Sequence, residues 1–226
     1  MNALQIGTIL GHAALYGAIL PVVAGGIRSA RRRPAERAAL MWMAMSLGIG
    51  TAMWVIRAGG NTTSAFMEFS RPLYLIPGLY VFGELTEHTS RRAWIHLAGA
   101  AYLLFWSWRI VEQDYTRDFG AYSGPALNAV LALGGLAILW ERITARSRSS
   151  LRDFGLLIGL GAVISYAPPV ALEAVSFLFY DSQHDALMVP WALRGALLNV
   201  GLVLYTLAFL WTIPPRSSSG SSPSRH

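Results

Sequence analysis

Seven stretches of about 20 mostly apolar residues, separated by short polar connections, dominate this sequence. That length matches a helix crossing about 30 Å of hydrocarbon at about 1.5 Å per residue. The helices expected are 4–26, 38–57, 66–86, 92–112, 124–141, 154–180 and 188–212. They use most of the 226 residues, and no connection between them is long enough to bury a core of its own. With 54% hydrophobic and only 13% charged residues, the chain lacks the inventory for a water-facing surface. The expected fold is therefore all-α: a polytopic membrane protein of seven transmembrane helices in one domain, 1–213. A low-complexity Ser/Pro tail, 214–226, follows it and is expected to be disordered. The first block has no basic residues ahead of it and several after it, so it reads as a helix and not as a cleaved leader.

Charge sets the orientation. There is no lysine, and the 18 cationic side chains are all arginine. Thirteen of them fall in alternate connections and the tail: Arg28, Arg31, Arg32, Arg33, Arg37, Arg91, Arg92, Arg142, Arg146, Arg148, Arg152, Arg216 and Arg225. The opposite side has five, Arg57, Arg71, Arg109, Arg117 and Arg194, together with seven acids. Basic residues in short loops stay in the cytoplasm, which places the N-terminus outside and the C-terminus inside. Tryptophan prefers the headgroup level. Trp42, Trp94, Trp140 and Trp211 are expected at inner ends, and Trp54, Trp106, Trp108 and Trp191 at outer ends.

Several chemistries drop out. A retinal Schiff base needs a lysine. With no cysteine and five scattered histidines, neither a structural zinc site nor a haem ligand pair is expected. No phosphate-binding glycine loop, nucleophile elbow or HExxH motif is present. No cofactor, metal or nucleic-acid partner is expected, and the basic pI follows membrane topology.

Within the spans the polar groups crowd toward the outer half: His12, Glu68, Arg71, Arg109, Glu112, Asn128, Glu173, Arg194 and Asn199. The inner half is nearly bare, and segments such as 130–139 and 201–210 read as a packed floor. A charge facing lipid costs about 2.5–3.5 kcal/mol near a helix centre, so these side chains are expected to turn inward or pair. Glu173 and Arg194, the deepest opposite charges, lie on adjacent helices six and seven and are expected to meet. Glu68 with Arg71, and Arg109 with Glu112, are three apart and can share a helix face, as solvated helix ends or as part of a site. Asn199 reads as a helix-to-helix hydrogen bond, His12 as an interior imidazole or a ligand contact. The candidate ligand-binding set is thus Glu173, Arg194, Arg71, Glu68, Arg109, His12, Asn199 and Asn128. Converging, these would form a polar pocket open to the outside and closed beneath, a shape suited to reception.

Between Arg31 and Ala93 lie a basic loop, an Ala-rich helix ending Ala52-Met-Trp-Val-Ile-Arg57, a short loop, and Phe69-Ser-Arg-Pro-Leu-Tyr-Leu-Ile-Pro-Gly78. This stretch resembles the seven-helix membrane sensor regions at the N-terminus of some bacterial histidine kinases and cyclic-dinucleotide enzymes. The resemblance implies an inner-membrane, multi-pass sensor for a small amphiphilic ligand, signalling to a membrane or cytoplasmic protein. In that family the seventh helix leads into an output domain, whereas here it leads into the polar tail. Three other readings stay open. Helices five and seven begin alike, Pro125-Ala-Leu-Asn and Pro190-Trp-Ala-Leu-Arg, which suits a transporter of three plus one plus three helices. A lipid-acting enzyme would use Glu173 as acid or base, and an accessory subunit would use the arginines and tryptophans to hold a larger complex.

Overall fold

The computed structural model describes residues 3–27, 32–112, 122–144, 153–179 and 188–211. Among them the regular structure is all helical: α1 (Ala3–Gly17), α2 (Ile19–Gly26), α3 (Pro34–Ala58), α4 (Ser64–Leu85), α5 (Thr89–Val111), α6 (Ser123–Thr144), α7 (Phe154–Phe179) and α8 (Met188–Trp211). α1 and α2 form one rod, since Ala18 between them keeps φ −64° and ψ −17° and its N–H reaches Ala14 O at 3.0 Å. The interruption has a local cause: Pro21 has no N–H for the Gly17 carbonyl and its ring crowds that group. Seven rods thus occupy the seven expected stretches. α3 begins four residues earlier than expected because Pro34, following the extended Arg33, is pre-set for the first helical turn, with Glu36 behind it. The tail expected to be disordered lies outside the described residues.

Five of the rods are long and apolar enough to cross a membrane: Thr8–Gly26, Pro34–Ala58, Ser123–Thr144, Phe154–Glu173 and Val189–Trp211. α4 and α5 fall outside that set; α4 carries Glu68, Arg71 and Glu84, and α5 carries Arg91, Arg92, His96 and Arg109.

Among the described residues the rods form a closed ring. α6 packs on α7, α7 on α8, α8 on α1 and α2, α2 on α3, α3 on α4, and α4 on α6; α5 lies outside, across the α4–α6 seam. Glycine sets the closest approach: a Cβ on Gly135 would lie 2.9 Å from Gly159 O, and one on Gly159 would lie 3.0 Å from Gly135 O. The α6 and α7 backbones therefore touch, as small-residue faces allow where helices associate by packing.

Trp42 fills the middle of the ring. It has 0% exposure, and its ring centroid lies 5.4 Å from Phe82, 6.0 Å from Tyr74, 6.1 Å from Tyr205 and 6.2 Å from Tyr166. Tyr74 and Tyr166 share a hydrogen bond between their hydroxyls. This corrects the expectation that Trp42 anchors an interface. It projects from the buried face of α3, beside Ala38 and Ala39, and Gly78 on α4 leaves room for its indole. Trp106 is also half-buried, whereas Trp54, Trp94, Trp108, Trp140, Trp191 and Trp211 are exposed.

The arginine-rich end is tied by side chains that satisfy helix termini. Arg32 donates to Gly25 O (2.7 Å), Ala24 O (2.8 Å) and Phe209 O (3.3 Å), and its guanidinium lies 5.1 Å from the Phe209 ring centroid. One cation thus serves the C-terminal carbonyls of both α2 and α8, where the helix dipole also favours it. Buried Glu141 does the converse at the start of α5, accepting the N–H groups of Glu87 (2.9 Å) and His88 (3.3 Å) and pairing with Arg91 at 3.3 Å.

Candidate functional site

At the opposite end of the bundle the charges of α4, α7 and α8 come together around the start of α6. Glu68 and Arg71, one turn apart on α4, point into the bundle. Arg71 Nη2 lies 2.6 Å from Glu68 Oε1, and both residues are buried. A buried ion pair costs less when its remaining polar atoms are also engaged. Ser123 Oγ supplies one such contact, donating to Glu68 Oε2 at 2.9 Å, and Tyr102 of α5 faces Arg71.

The Glu68 backbone is engaged as well. Pro72 has no N–H, so the carbonyl four residues back, on Glu68, loses its helical donor. Trp106 Nε1 of α5 donates to that carbonyl at 3.0 Å. The outlying helix is thereby pinned at a point created by a proline. Trp106→Phe, which keeps the ring and removes the donor, is expected to destabilise the protein by about 1–3 kcal/mol. Thermal unfolding in detergent, with Trp108→Phe on the exposed side as control, measures this; equal melting temperatures for the two variants would remove the role given to the indole N–H.

The second pair is Glu173 on α7 with Arg194 on α8, Nη1 to Oε1 2.6 Å. Arg194 also lies over the Trp191 ring, 5.1 Å from its centroid. The expected pairing is present in the structure, and the two ion pairs adjoin. A Cβ placed on Gly124 would lie 2.5 Å from Glu173 Oε2 and 3.5 Å from Arg71 Nη2. Gly124 is therefore where the two pairs meet, and the absence of a side chain there is what lets them. Two carboxylates and two guanidinium groups from three helices balance in charge. Beside them a shallow crevice opens between α7 and α8, lined by Leu172, Glu173, Pro190, Trp191 and Arg194.

The other four candidates do not join this centre. Arg109 stays at the end of α5, pairing with Glu112 at 3.2 Å and lying 4.8 Å from the Tyr122 ring centroid, at the rim. Asn199 makes the helix-to-helix bond read from the sequence, donating to Leu10 O at 3.0 Å as well as to Gly195 O at 2.8 Å. Asn128 is buried on α6, one turn beyond Gly124. His12 is exposed on the outward face of α1, because Ala14 and Leu10 on the other face pack toward α8. Instead of a deep pocket, the convergent charges form paired contacts with a crevice at their edge.

Ser123, Gly124, Tyr102 and Trp106 were not legible as site residues. Pro72 does carry one signal in the sequence, since it frees the Glu68 carbonyl, but the donor that answers it comes from another helix. Among the described residues no group of three or more His, Asp or Glu side chains is placed to hold a metal ion.

Fold and site together define a class: an all-helical bundle, apolar enough in five helices to lie in a membrane, with a charge-balanced cluster at one end. No family model, no curated protein and no solved structure matches the chain.

Proposed function

We propose that this protein is a receptor-like module of the bacterial inner membrane, crossing it seven times with its N-terminus outside, and that the four-charge cluster is its ligand site. One observation carries the reading: Glu68, Arg71, Glu173 and Arg194, from α4, α7 and α8, meet at Gly124 in what the arginine distribution makes the outer half. Charges held in a membrane are costly whatever their role, and intramembrane ionisable groups commonly mark a site. A ligand that engages one member changes which partners the others hold, and so shifts α7 against α8. α8 runs from Arg194 to the carbonyl of Phe209, which Arg32 grips, so a shift of α8 reaches the arginine-rich end and a protein partner there.

Orientation is directly testable, because the chain contains no cysteine. In intact spheroplasts Asn61→Cys is expected to react with a membrane-impermeant maleimide, and Thr89→Cys only after permeabilisation; the reverse pattern would invert the topology. Reception is tested in proteoliposomes with radiolabelled small carboxylates, amines and neutral amphiphiles. Saturable binding that disappears in Arg71→Ala, without accumulation in the vesicle lumen, supports the reading. Accumulation in the lumen replaces it with transport.

A further inference from the structure

The outward sides of the apolar helices are not alike. On α6 and α8 the exposed residues along the middle of the helix are aliphatic, among them Leu133, Leu136, Val200 and Val203. On α1 the exposed side is polar. Gln5, Thr8, His12 and Tyr16 follow one another at steps of three and four, all exposed, and Ile19 and Val23 of α2 continue the same line. This ridge is the back of the rod, since Leu10 and Gly17 on the other side lie against Gly195, Asn199 and Leu202 of α8.

Depth makes the ridge costly. His12 is nine residues from Ala3 and Tyr16 ten from Gly26, the two ends of the rod, which is about 13 to 15 Å at about 1.5 Å per residue. Neither side chain is long enough to snorkel that far, and neither makes a hydrogen bond among the described residues. Ionisable and polar groups within a membrane face protein, so an imidazole and a phenol turned outward at this depth call for a further helix against α1.

The chemistry of the ridge selects that helix. An amide, a hydroxyl, a neutral imidazole and a phenol each donate and accept, so each can bond its own kind. No Asp, Glu or Arg stands in the line, so nothing in it repels a copy of itself or asks for an opposite charge. A two-fold axis along the membrane normal brings the same patch of two copies together, with equal residues at equal depth. We propose that a second copy of this chain packs against α1, His12 and Tyr16 meeting the same groups of the partner. This requires only that the chain cross a membrane and is independent of what the charge cluster binds.

The chain has no cysteine, so single cysteines report the contact by disulfide cross-linking of the full chain in proteoliposomes. Ile19→Cys, on the ridge one turn from Tyr16, is expected to give a dimer, and Leu133→Cys, on the exposed side of α6, only the background of random collision. Energy transfer between copies dye-labelled at Thr89→Cys, followed as they are diluted with lipid, gives the dissociation constant. His12→Leu is expected to raise it about tenfold, and Tyr16→Phe, which removes only the hydroxyl, about threefold. Because His12 is exposed, its replacement is expected not to lower the melting temperature of the detergent-solubilised monomer, which separates loss of contact from loss of fold. Equal cross-linking at Ile19→Cys and Leu133→Cys, or a dissociation constant unmoved by His12→Leu, overturns the proposal. So does a chain that stays monomeric in vesicles while Ile19→Cys in cell membranes is trapped with a different protein, which would give the ridge to that protein. A chain that inserts with the expected topology and never pairs loses this inference alone; one that fails to insert loses the membrane reading with it.

Discussion

Replacing Arg71 by methionine is expected to cost the folded protein about 3–5 kcal/mol, since it leaves the Glu68 carboxylate buried without its cation. It also removes the second guanidinium near Glu173, so the loss spreads across Gly124. Equilibrium unfolding in mixed micelles by SDS titration measures it. The double variant Glu68→Gln with Arg71→Met is expected to regain a good part of the loss, because the unpaired charge is gone while the volume is kept. Arg109→Met is the contrast. Arg109 also has an acid three residues away, but that partner, Glu112, is 45% exposed, so loss of the ion pair itself is expected to cost below about 1 kcal/mol, with the lost contact to the Tyr122 ring adding to it. Equal losses for Arg71 and Arg109 would mean that burial of the Glu68 pair carries no energetic weight.

Trp42→Ala is expected to be as damaging, about 3–5 kcal/mol, for a different reason. No charge is involved; the indole is simply the object around which Tyr74, Phe82, Tyr166 and Tyr205 are arranged. Within a membrane the apolar driving force between helices is weak and packing does most of the work, so an empty centre cannot be offset by burying another surface. Trp42→Phe, which keeps one ring, should lose less, and Trp94→Ala on the exposed face of α5 should change stability by no more than about 0.5 kcal/mol. The same SDS titration ranks the three. Trp94→Ala matching Trp42→Ala would undo the central placement of Trp42.

The contrast between these two tryptophans shows what was legible in the sequence. Depth along a helix can be read from the chain; the side of the helix cannot, because it depends on which neighbour arrives. The seven apolar blocks set the rods, and the pairing of Glu173 with Arg194 is legible because two opposite charges at matching depth on consecutive helices have few other partners. Asn199 followed from the same logic. Trp42 has the depth of an interface anchor, yet it shares the face of Ala38 and Ala39, and small residues there draw α3 inward. His12 has the depth to join the cluster, yet α1 presents Leu10 and Ala14 to α8 and turns the imidazole away. Gly124 reads only as a helix start. Its importance exists only once Glu173 of α7 and Arg71 of α4 have been brought to the same spot.

α5 shows how a local defect can serve the assembly. A proline in α4 leaves one carbonyl with nothing of its own helix to bind, and the indole of the one helix outside the ring comes to it. A residue with an N–H at position 72 would mend α4 and, by mending it, give Trp106 a rival for its acceptor. The flaw in one helix is thus a berth for another, and a change that perfects the part would loosen the whole.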